Sequence, residues 1–384
     1  MKKIVILSSG LGPNTRGIGQ YERYLLPPLL RKLNVPGCRI FVVLSKEGRV
    51  STENERVRFI RLPIHRGRTF QRIFLEQFYL PYLSGGADVF LSLESVFPLT
   101  PLLAKTKIVV VHDIHVIRHT LQPEKYPEDY STQYKIWANR ATRKALRKAS
   151  AVVTDAEFTK REICDVLRIP QDKVSVIPCG LDRERFYPLP DSCLLAEIRR
   201  RYQLPESFYL FIGPYSRKKN LRLIIEAYAS LSRDLEYVRP VAVVGDTRKS
   251  ELYQDTLELI RRTGREDLFL FLGLVPDDDI PALYRAARAF LYPSLYEGFG
   301  LPVLEAMACG TPVIASNQSS IPEVAGEAAL LIDPYDPETL KKALEKINVR
   351  EVRESLIEKG YRQTKSFSWE KTAGAMADLI LGSK

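Results

Sequence analysis

The stretch from Leu291 to Ser316, LYPSLYEGFGLPVLEAMACGTPVIAS, constrains the fold more than any other part of the chain. Apolar, β-rich residues at 290–292 predict a buried strand, and the glycines of the following EGFG segment force the chain to turn. Pro302 suits the first turn of a helix, and Gly310 suits the left-handed position just past its end. The stretch therefore predicts a strand, a tight loop, a helix over about 302–309, a turn and a second strand.

The start of that helix is a candidate anion-binding site. A helix N-terminus carries unpaired N–H groups and roughly half a positive charge, and glycines in front of it let a phosphate approach the backbone. Glu297, on the loop, and Glu305, inside the helix, lie on either side of this candidate binding site in the sequence. A carboxylate repels a phosphate but accepts hydrogen bonds from hydroxyls, so a sugar-bearing nucleotide is the natural ligand. The alternative is a surface glutamate before an ordinary glycine turn and a solvated glutamate on the helix.

Composition sets the size and class of the molecule. A chain of 384 residues is longer than one ordinary core supports, which favours two α/β domains. No uncharged apolar run of about 18 residues occurs, and MKKIVILSS enters a strand directly, which argues against a spanning helix or a signal peptide and predicts a cytoplasmic protein. The five scattered cysteines contain no C-x-x-C pair, which argues against a disulfide framework or a zinc site.

The net charge of +11 lies almost entirely in residues 1–185, and the rest of the chain is close to neutral. This asymmetry suggests an anionic partner such as acidic lipid or a lipid-linked phosphate, although a merely basic enzyme is an equal alternative. No RNP-type strand or zinc finger points to nucleic acid. Residues 66–83 predict an amphipathic helix with a basic start, which could touch membrane or acceptor. A core helix closed by Pro81 is the favoured interpretation.

The first half begins with a strand at 2–9, a glycine-rich loop and a helix over about 18–33. The spacing of Gly10, Gly12, Gly17 and Gly19 does not match the dinucleotide fingerprint G-x-G-x-x-G, so a dehydrogenase is disfavoured. Further on, His112 follows the apolar run IVVV and is expected at the carboxyl end of a strand, where open α/β sheets place ligands.

A metal site around His112, His115 and His119 is disfavoured, because no thiolate or clear carboxylate set accompanies the histidines. Asp277, Asp278 and Asp279 could be mistaken for a D-x-D metal motif. They follow Pro276 and precede a helix, so they are predicted to cap that helix.

The second half repeats the pattern with a strand that ends at Gly213 and a helix that begins near Asn220. Lys218 and Lys219 therefore lie in the loop at the carboxyl end of this strand. Ammonium groups at that position can neutralise a diphosphate, whereas the alternative is two solvated lysines before a helix.

The EGFGLPVLEAMACGTPVIAS segment, with its E-x7-E spacing, resembles the donor-binding signature of the retaining glycosyltransferases of family 4. The resemblance covers nearly the whole chain, with four motifs in the expected order. It implies the α/β fold GT-B, in which two Rossmann-like domains face each other across a cleft. Residues 1–185 would form the acceptor domain, residues 186–365 the nucleotide-sugar donor domain, and residues 366–384, with Trp369, a helix that packs back on the first domain.

The resemblance also assigns roles to residues. His112 would contact the transferred sugar, Lys219 takes the lysine position of the G-x-L-x-P-R-K-N motif, and Lys218 stands where arginine is usual. Glu297 would meet the sugar or its phosphate and Glu305 the ribose hydroxyls. The implied catalytic residues are His112, Lys219 and Glu297. The implied donor-binding residues are Gly17, Gly19, Gly213, Lys218, Lys219, Gly245, Val275, Glu297, Gly298, Phe299, Gly300, Leu301 and Glu305.

Two segments depart from the family pattern. Arg16 replaces the commoner first glycine of the GGIG-like turn in the first loop, and residues 154–157, TDAE, differ from the family segment V-S-E-F-S.

By resemblance, the reaction is the retaining transfer of a hexose, with mannose favoured and glucose next, from a GDP- or UDP-sugar to a glycan or lipid-linked acceptor. It would need no metal or other cofactor and involve no nucleic acid. The expected location is the cytoplasm or the inner face of an anionic membrane. A nucleotide-sugar epimerase or a phosphorylase of the same architecture, and a non-enzymatic sugar-nucleotide-binding protein, are the alternatives.

Overall fold

A computed structural model describes residues 1–11, 17–63, 69–98, 100–128, 130–189, 192–232, 234–246 and 251–382, with the side chains of 69–76 and 251 left aside. Gly12, Arg16 and the first residues of the predicted 66–83 helix lie outside this part. The chain forms two compact units. The first contains residues 1–121, 130–180 and 367–384, and the second contains residues 122–129 and 181–366.

The first unit is built on a parallel sheet of seven strands. Their β-branched and aromatic side chains are largely buried, as expected for strands covered on both faces. The strands are β1 Lys2–Ser8, β2 Cys38–Leu44, β3 Val57–Arg61, β4 Val89–Ser92, β5 Thr106–Val110, β6 Ala151–Thr154 and β7 Val174–Val176. They lie in the order β3-β2-β1-β4-β5-β6-β7. The order reverses between β1 and β4, which makes that gap the switch point of the sheet.

Within the described residues, six helices accompany this sheet. They are α1 Ile18–Lys32, α2 Thr69–Ser84, α3 His115–Leu121, α4 Thr132–Lys148, α5 Glu157–Leu167 and, from the end of the chain, α14 Trp369–Leu381. Helix α14 packs against α1. Its first residue lies against Gly180, where a β-carbon would be 2.1 Å from the backbone nitrogen of Trp369. Glycine at this position therefore allows the close approach of α14.

The second unit repeats the plan with a parallel sheet of six strands. These are β8 Tyr209–Ile212, β9 Val241–Val244, β10 Phe269–Gly273, β11 Ala289–Tyr292, β12 Val313–Ser316 and β13 Ala329–Ile332. Their order, β10-β9-β8-β11-β12-β13, places the switch point between β8 and β11. A hydrophobic core of its own, with Phe211, Ile224 and Leu344 among its members, packs against this sheet.

The helices of the second unit are α6 Ser192–Arg201, α7 Leu221–Ala229, α8 Glu251–Thr263, α9 Ile280–Ala286, α10 Leu301–Ala308, α11 Ile321–Ala325, α12 Pro337–Lys346 and α13 Arg350–Thr364. Short 3-10 turns occur at Gln171–Lys173 in the first unit and at Arg217–Lys219, Glu266–Leu268 and Asp277–Asp279 in the second. Among the residues described, no helix combines the length and the apolar character that crossing a bilayer requires.

Two local predictions are wrong. Helix α2 does not close at Pro81 but continues to Ser84. Proline leaves the carbonyl four residues earlier without its usual N–H partner, and here the hydroxyl of Thr100 donates to that carbonyl, on Gln77. Asp279 occupies the N-cap of α9 without a capping hydrogen bond, because its carboxylate accepts instead from Arg201, at 2.9 Å, and from the hydroxyl of Tyr202, at 2.5 Å.

Candidate active site

The glycine turn of the second unit joins β11 to α10. Helix α10 begins at Leu301 and ends at Ala308, one residue earlier at each end than predicted. Gly300 precedes it with a φ of 114°, and Gly310 follows it with a φ of 78°, so both glycines adopt backbone conformations that other residues rarely take. The predicted strand, tight loop and short helix are therefore confirmed.

Two serines hold this turn in place. The hydroxyl of Ser320 donates to the carbonyls of Glu297, at 2.9 Å, and Phe299, at 2.8 Å. The backbone nitrogen of Glu297 donates to the hydroxyl of Ser319 at 3.0 Å. Both serines precede α11, which is followed by β13, so the bend depends on a segment about twenty residues further along the chain. A serine pair before a short helix is the one local signal of these hydrogen bonds in the sequence.

Lys219 reaches the same turn from the loop after β8. Its Nζ lies 2.6 Å from Oε1 of Glu297 and 2.8 Å from Oη of Tyr292. The ammonium group also lies 4.8 Å from the centre of the Tyr292 ring, a cation–π distance. The loops after β8 and β11 are the ones that border the switch point, so the pair of Lys219 and Glu297 spans it.

Burial governs the electrostatics of the pair, since the side chains of Lys219 and Glu297 are 13% and 11% exposed. Burial lowers the pKa of Lys219 below its usual range, although Glu297 opposes this change. Burial alone would raise the pKa of Glu297, but the charges of Lys219 and Lys218 outweigh it and hold that pKa below its usual value. Burial, reinforced by Glu297, raises the pKa of Tyr292 well above the ordinary range. Tyr292 therefore stays a neutral phenol.

The predicted glycines of the second unit lie at the carboxyl ends of adjacent strands. A β-carbon on Gly245 would be 2.3 Å from the carbonyl oxygen of Gly213, and one on Gly213 would be 3.2 Å from the side chain of Lys219. A side chain at either position would collide with or crowd the backbone or side chain next to it, so glycine keeps the space beside Lys219 open. Val275 is buried just after β10.

Glu305 lies on α10, as predicted, and is 7% exposed. Its Oε2 accepts a hydrogen bond of 3.3 Å from the hydroxyl of Tyr284 on α9. Lys218 is tied into the site through its backbone, because its carbonyl accepts from the backbone nitrogen of Leu295 at 2.7 Å. Gly298 and Phe299 belong to the turn itself.

The remaining predicted site residues lie in the first unit. Gly17 caps α1 with a φ of 63°, a backbone conformation that favours glycine, and Gly19 is buried inside that helix. His112 follows β5. Its Nδ1 is 2.6 Å from Oδ2 of Asp155, and its Nε2 is 3.1 Å from the carbonyl oxygen of Leu93. The backbone nitrogen of His115 donates to the carboxylate of Asp113 at 3.0 Å, which ties the loop after His112 to the start of α3.

Family models cover both units of the chain. A model described as Glycosyltransferase Family 4 matches residues 29–185, and one described as Glycosyl transferases group 1 matches residues 196–363. The chain is 34% identical over 266 residues to O-antigen chain mannosyltransferase B of Escherichia coli, across 68% of this chain and 67% of that protein. The chain belongs to glycosyltransferase family 4.

Other relatives agree with this assignment over a smaller share of their length. This glycosyltransferase is 28% identical over 268 residues to the serotype-specific mannosyltransferase WbdA of Escherichia coli, across 69% of this chain but only 32% of WbdA. The chain thus spans about a third of that longer relative.

Solved structures show that the glycosyltransferase has the GT-B fold. The sucrose-phosphate synthase of Thermosynechococcus elongatus superposes with a TM-score of 0.75 at 22% identity, covering 100% of this chain and 99% of that one. Anabaena Alr3699/HepE in complex with UDP-glucose superposes with a TM-score of 0.73 at 17% identity, covering 100% of both chains. The predicted fold class is confirmed.

A cavity of about 530 Å³ in the second unit of the glycosyltransferase contains none of the predicted donor residues. It is lined by residues of α7 and α8 and of the loop after β8, including Tyr215, Arg217, Asn220 and Asp255. Its closest link to the site is the loop of Lys219. Neither Lys219 nor Glu297 is among the residues that line this cavity.

Several residues of the site, Tyr292, Ser320 and Asp155 among them, were not identified from the sequence. Tyr292 was assigned to a buried strand, yet its hydroxyl contacts Lys219. Ser320 braces the turn, and Asp155 holds the ring of His112. A tyrosine, a serine and an aspartate carry no local signal of such contacts, because their partners lie between 21 and 73 residues away in the chain.

Proposed function

We propose that this glycosyltransferase moves a hexose, with mannose favoured and glucose next, from a nucleotide-diphosphate sugar to a glycan or lipid-linked acceptor. One observation carries the proposal. A buried ammonium group, Lys219, lies 2.6 Å from Glu297 at a glycine turn that opens helix α10, on the switch point of a parallel sheet. That arrangement suits a diphosphate beside a sugar hydroxyl.

The leaving diphosphate is the group that Lys219 would stabilise. As the bond to the anomeric carbon breaks, negative charge builds on the leaving oxygen. Lys219, Lys218 and the backbone N–H groups near Phe299 and Gly300 would stabilise this charge in a site prepared in advance. A bound diphosphate would also raise the lowered pKa of Lys219, since it adds negative charge beside the ammonium group.

The carboxylates would hold hydroxyls on either side of the diphosphate. Glu297 would exchange part of its contact with Lys219 for the sugar or its phosphate, and Glu305 would accept hydrogen bonds from the ribose. The backbone at Gly213, Gly245 and Val275 would meet the nucleotide, with Leu301 at the helix start. In the first unit, Gly17 and Gly19 would lie under the donor and His112 would contact the transferred sugar.

A metal ion is not required by this scheme, because ammonium groups and backbone N–H groups supply the positive charge and a diphosphate is a good leaving group. We expect transfer to continue when EDTA is present and divalent cations are omitted. A loss of turnover that added Mg²⁺ or Mn²⁺ restores would contradict metal independence.

The names of the relatives support mannose, and the neighbour that binds UDP-glucose keeps UDP and glucose as the second choice. A thermal-shift panel with GDP-mannose, UDP-glucose, ADP-glucose and the free nucleotides tests the donor. A ligand that binds the native state alone, at 100 times its Kd, adds about 2.7 kcal/mol to the free energy of unfolding. GDP-mannose is expected to give the largest rise in Tm, and a rise with UDP-glucose alone would replace mannose by glucose.

A second assay separates transfer from the alternatives. The preferred donor is incubated with and without an alkyl mannoside as acceptor, and both the nucleotide and the sugar product are analysed. A transferase releases nucleotide and forms a disaccharide when the acceptor is present. An epimerase would change the donor sugar without acceptor, and a binding protein would raise Tm without releasing nucleotide.

We also propose peripheral contact between the first unit and an anionic membrane, through α4. Burial and the charge of Arg147 lower the pKa of Arg143, and burial and the charge of Lys148 lower that of Lys144, so like charges crowd this helix. Tyr134 and Ile136 are exposed near its start. Sedimentation with phosphatidylserine vesicles, compared with phosphatidylcholine vesicles, tests the contact, and each neutralised charge should weaken binding about fivefold. Equal sedimentation with both vesicles would contradict it.

A further inference from the structure

The two ring nitrogens of His112 both face hydrogen-bond acceptors. Nδ1 lies 2.6 Å from a carboxylate oxygen of Asp155, and Nε2 lies 3.1 Å from the carbonyl oxygen of Leu93. A neutral imidazole has one N–H and can satisfy one of these acceptors, whereas the imidazolium ion satisfies both. The geometry is therefore that of a cation held between a carboxylate and a carbonyl.

Burial makes this interaction strong. Asp155 is 2% exposed and the side chain of His112 is 14% exposed, so little water screens the two charges. Burial by itself would lower the pKa of His112, but the charge of Asp155 and its hydrogen bond outweigh burial and raise that pKa above the usual value. Asp113 adds a smaller contribution in the same direction.

Groups on other elements enclose the pair. The ring of Tyr21, on α1, lies edge-on to His112 with 4.6 Å between the ring centres, and Trp369, on α14, lies edge-on to Tyr21 at 5.5 Å. Burial, followed by the charge of Asp155, raises the pKa values of Tyr21 and of Cys179 well above their ordinary ranges. Both stay neutral near pH 7, and in the part of the chain that the structure describes His112 is the basic group in contact with Asp155.

We propose that Asp155 is a positioning residue for sugar transfer, which holds His112 as an imidazolium ion in one fixed ring orientation. The proposal rests on the proposed function, in which His112 contacts the transferred sugar. With both ring nitrogens engaged, His112 acts as a fixed positive charge and not as a proton donor or acceptor. Asp155 lies in the segment 154–157, where the chain departs from the family pattern.

The substitution Asp155→Asn keeps the shape of the side chain and removes its charge. The pKa of His112 should then fall, so that the ring loses its second proton at a lower pH. The alkaline decline of kcat should shift towards acid by about one pH unit or more, and the variant should lose about tenfold in kcat at the pH where wild-type activity begins to decline. Asp155→Glu restores the charge on a longer side chain and should recover part of the shift.

A direct measurement of the His112 titration accompanies the kinetics. The chain has four histidines, so the imidazole Cε1–H signals in NMR spectra are few, and loss of one signal in His112→Gln assigns it. In wild-type protein this signal should titrate above about pH 6.5, and in Asp155→Asn it should titrate about one unit lower or more.

Glu162→Gln is the matched control. Glu162 is a buried carboxylate of the same unit that accepts a hydrogen bond of 2.6 Å from Arg118. Its loss should lower the Tm of the protein without moving the His112 titration or the alkaline limb of kcat. Circular dichroism of every variant checks that the fold is retained, and Asp155→Glu supplies the comparison if Asp155→Asn does not fold.

The outcomes are distinct. An unchanged His112 titration in Asp155→Asn would overturn the proposal, as would a lowered pKa with no change in the pH profile of kcat. Coinciding shifts in titration and kinetics would support it. Failure of the proposed function appears differently, as a wild-type enzyme that turns over no sugar nucleotide while His112 still responds to Asp155→Asn, and that result would overturn the role of Asp155 in transfer.

Discussion

In the first unit, the switch point between β1 and β4 is spanned by Ser9 and Glu94, whereas in the second unit the switch point between β8 and β11 is spanned by Lys219 and Glu297. Glu94 accepts from the hydroxyl of Ser9 and from its backbone nitrogen, the latter at 2.9 Å. Glu297 is 2.6 Å from an ammonium group. Each unit thus places a glutamate after its fourth strand but gives it a different partner.

The described partners of the two glutamates differ in charge. The donors described for Glu94 are the neutral hydroxyl and backbone N–H of Ser9, and a second buried carboxylate, Glu22, accepts a hydrogen bond of 2.8 Å from the hydroxyl of Ser8. In the second unit Lys219 and Lys218 supply positive charge at the equivalent edge. A shared order of the first six strands therefore does not imply a shared ligand, because ligand binding depends on the side chains that follow the strands.

The largest effect is expected from Lys219→Ala, which removes the cation that distinguishes the second switch point. Loss of one such preorganised donor costs about 2.7–4 kcal/mol in the transition state, so kcat should fall by about 100-fold or more. Steady-state kinetics with the preferred donor measure this. Arg222→Ala, which removes an exposed cation from the neighbouring helix α7, should leave kcat nearly unchanged. Undiminished turnover in Lys219→Ala would refute the assignment.

A smaller effect, on donor affinity, is expected from Glu305→Ala in the same site. In Glu305→Ala the ribose hydroxyls would lose a charged acceptor, which typically contributes about 1.5–3 kcal/mol, so the Kd of the donor should rise by about tenfold or more. Isothermal titration calorimetry with the free nucleotide measures the change. Tyr284→Phe serves as the comparison, because it removes the neighbouring hydroxyl and leaves the carboxylate. Unchanged nucleotide affinity in Glu305→Ala would count against the ribose contact.

Substitutions of Glu297 and Glu94, the glutamates after the fourth strand of each sheet, test directly whether the two switch points differ in anion binding. Glu297→Gln frees Lys219 from its carboxylate, so free GDP or UDP should bind a few times more tightly while kcat falls. Glu94→Gln changes a carboxylate whose described donors are the hydroxyl and backbone N–H of Ser9, and the affinity for nucleotide should change less than twofold. Equal effects of the two substitutions would mean that the two switch points do not differ in anion binding.

The smallest effect is expected for the bracing of the glycine turn. Ser320→Ala removes two hydrogen bonds to buried carbonyls, each with a net contribution of about 0.5–1.5 kcal/mol, and so should lower the free energy of unfolding by about 1–3 kcal/mol. Denaturant unfolding measures this, with the exposed Ser230→Ala as control. A large loss of kcat with unchanged stability would show that Ser320 acts on the donor and not on the turn.

Local features of the fold could be predicted from the sequence because glycine and proline restrict the backbone where they stand. Gly300, Pro302 and Gly310 fixed the limits of α10 to within one residue. The helix end predicted at Pro81 was wrong, because the hydroxyl that compensates for the missing N–H of this proline belongs to Thr100, in a distant loop. The carboxylate of Asp279 was likewise diverted from capping by Arg201 and Tyr202.

The contacts between paired side chains of the site could not be predicted from local sequence in the same way. Lys219 and Glu297 are 78 residues apart, and His112 and Asp155 are 43 apart, so their contacts follow from the strand order and not from local spacing. Resemblance identified three of these four residues. The resemblance did not identify Asp155, because residues 154–157 differ from the family pattern.

The placement of α14 has a consequence for how the chain is made. Residues 1–180 leave the ribosome without this helix, so the surface at Gly180 and the ring of Tyr21 stay uncovered while the 186 residues from Leu181 to Ser366 are translated. The first part to be synthesised is thus completed only after the second part has emerged, and an arrested nascent chain would expose an apolar face that chaperones recognise.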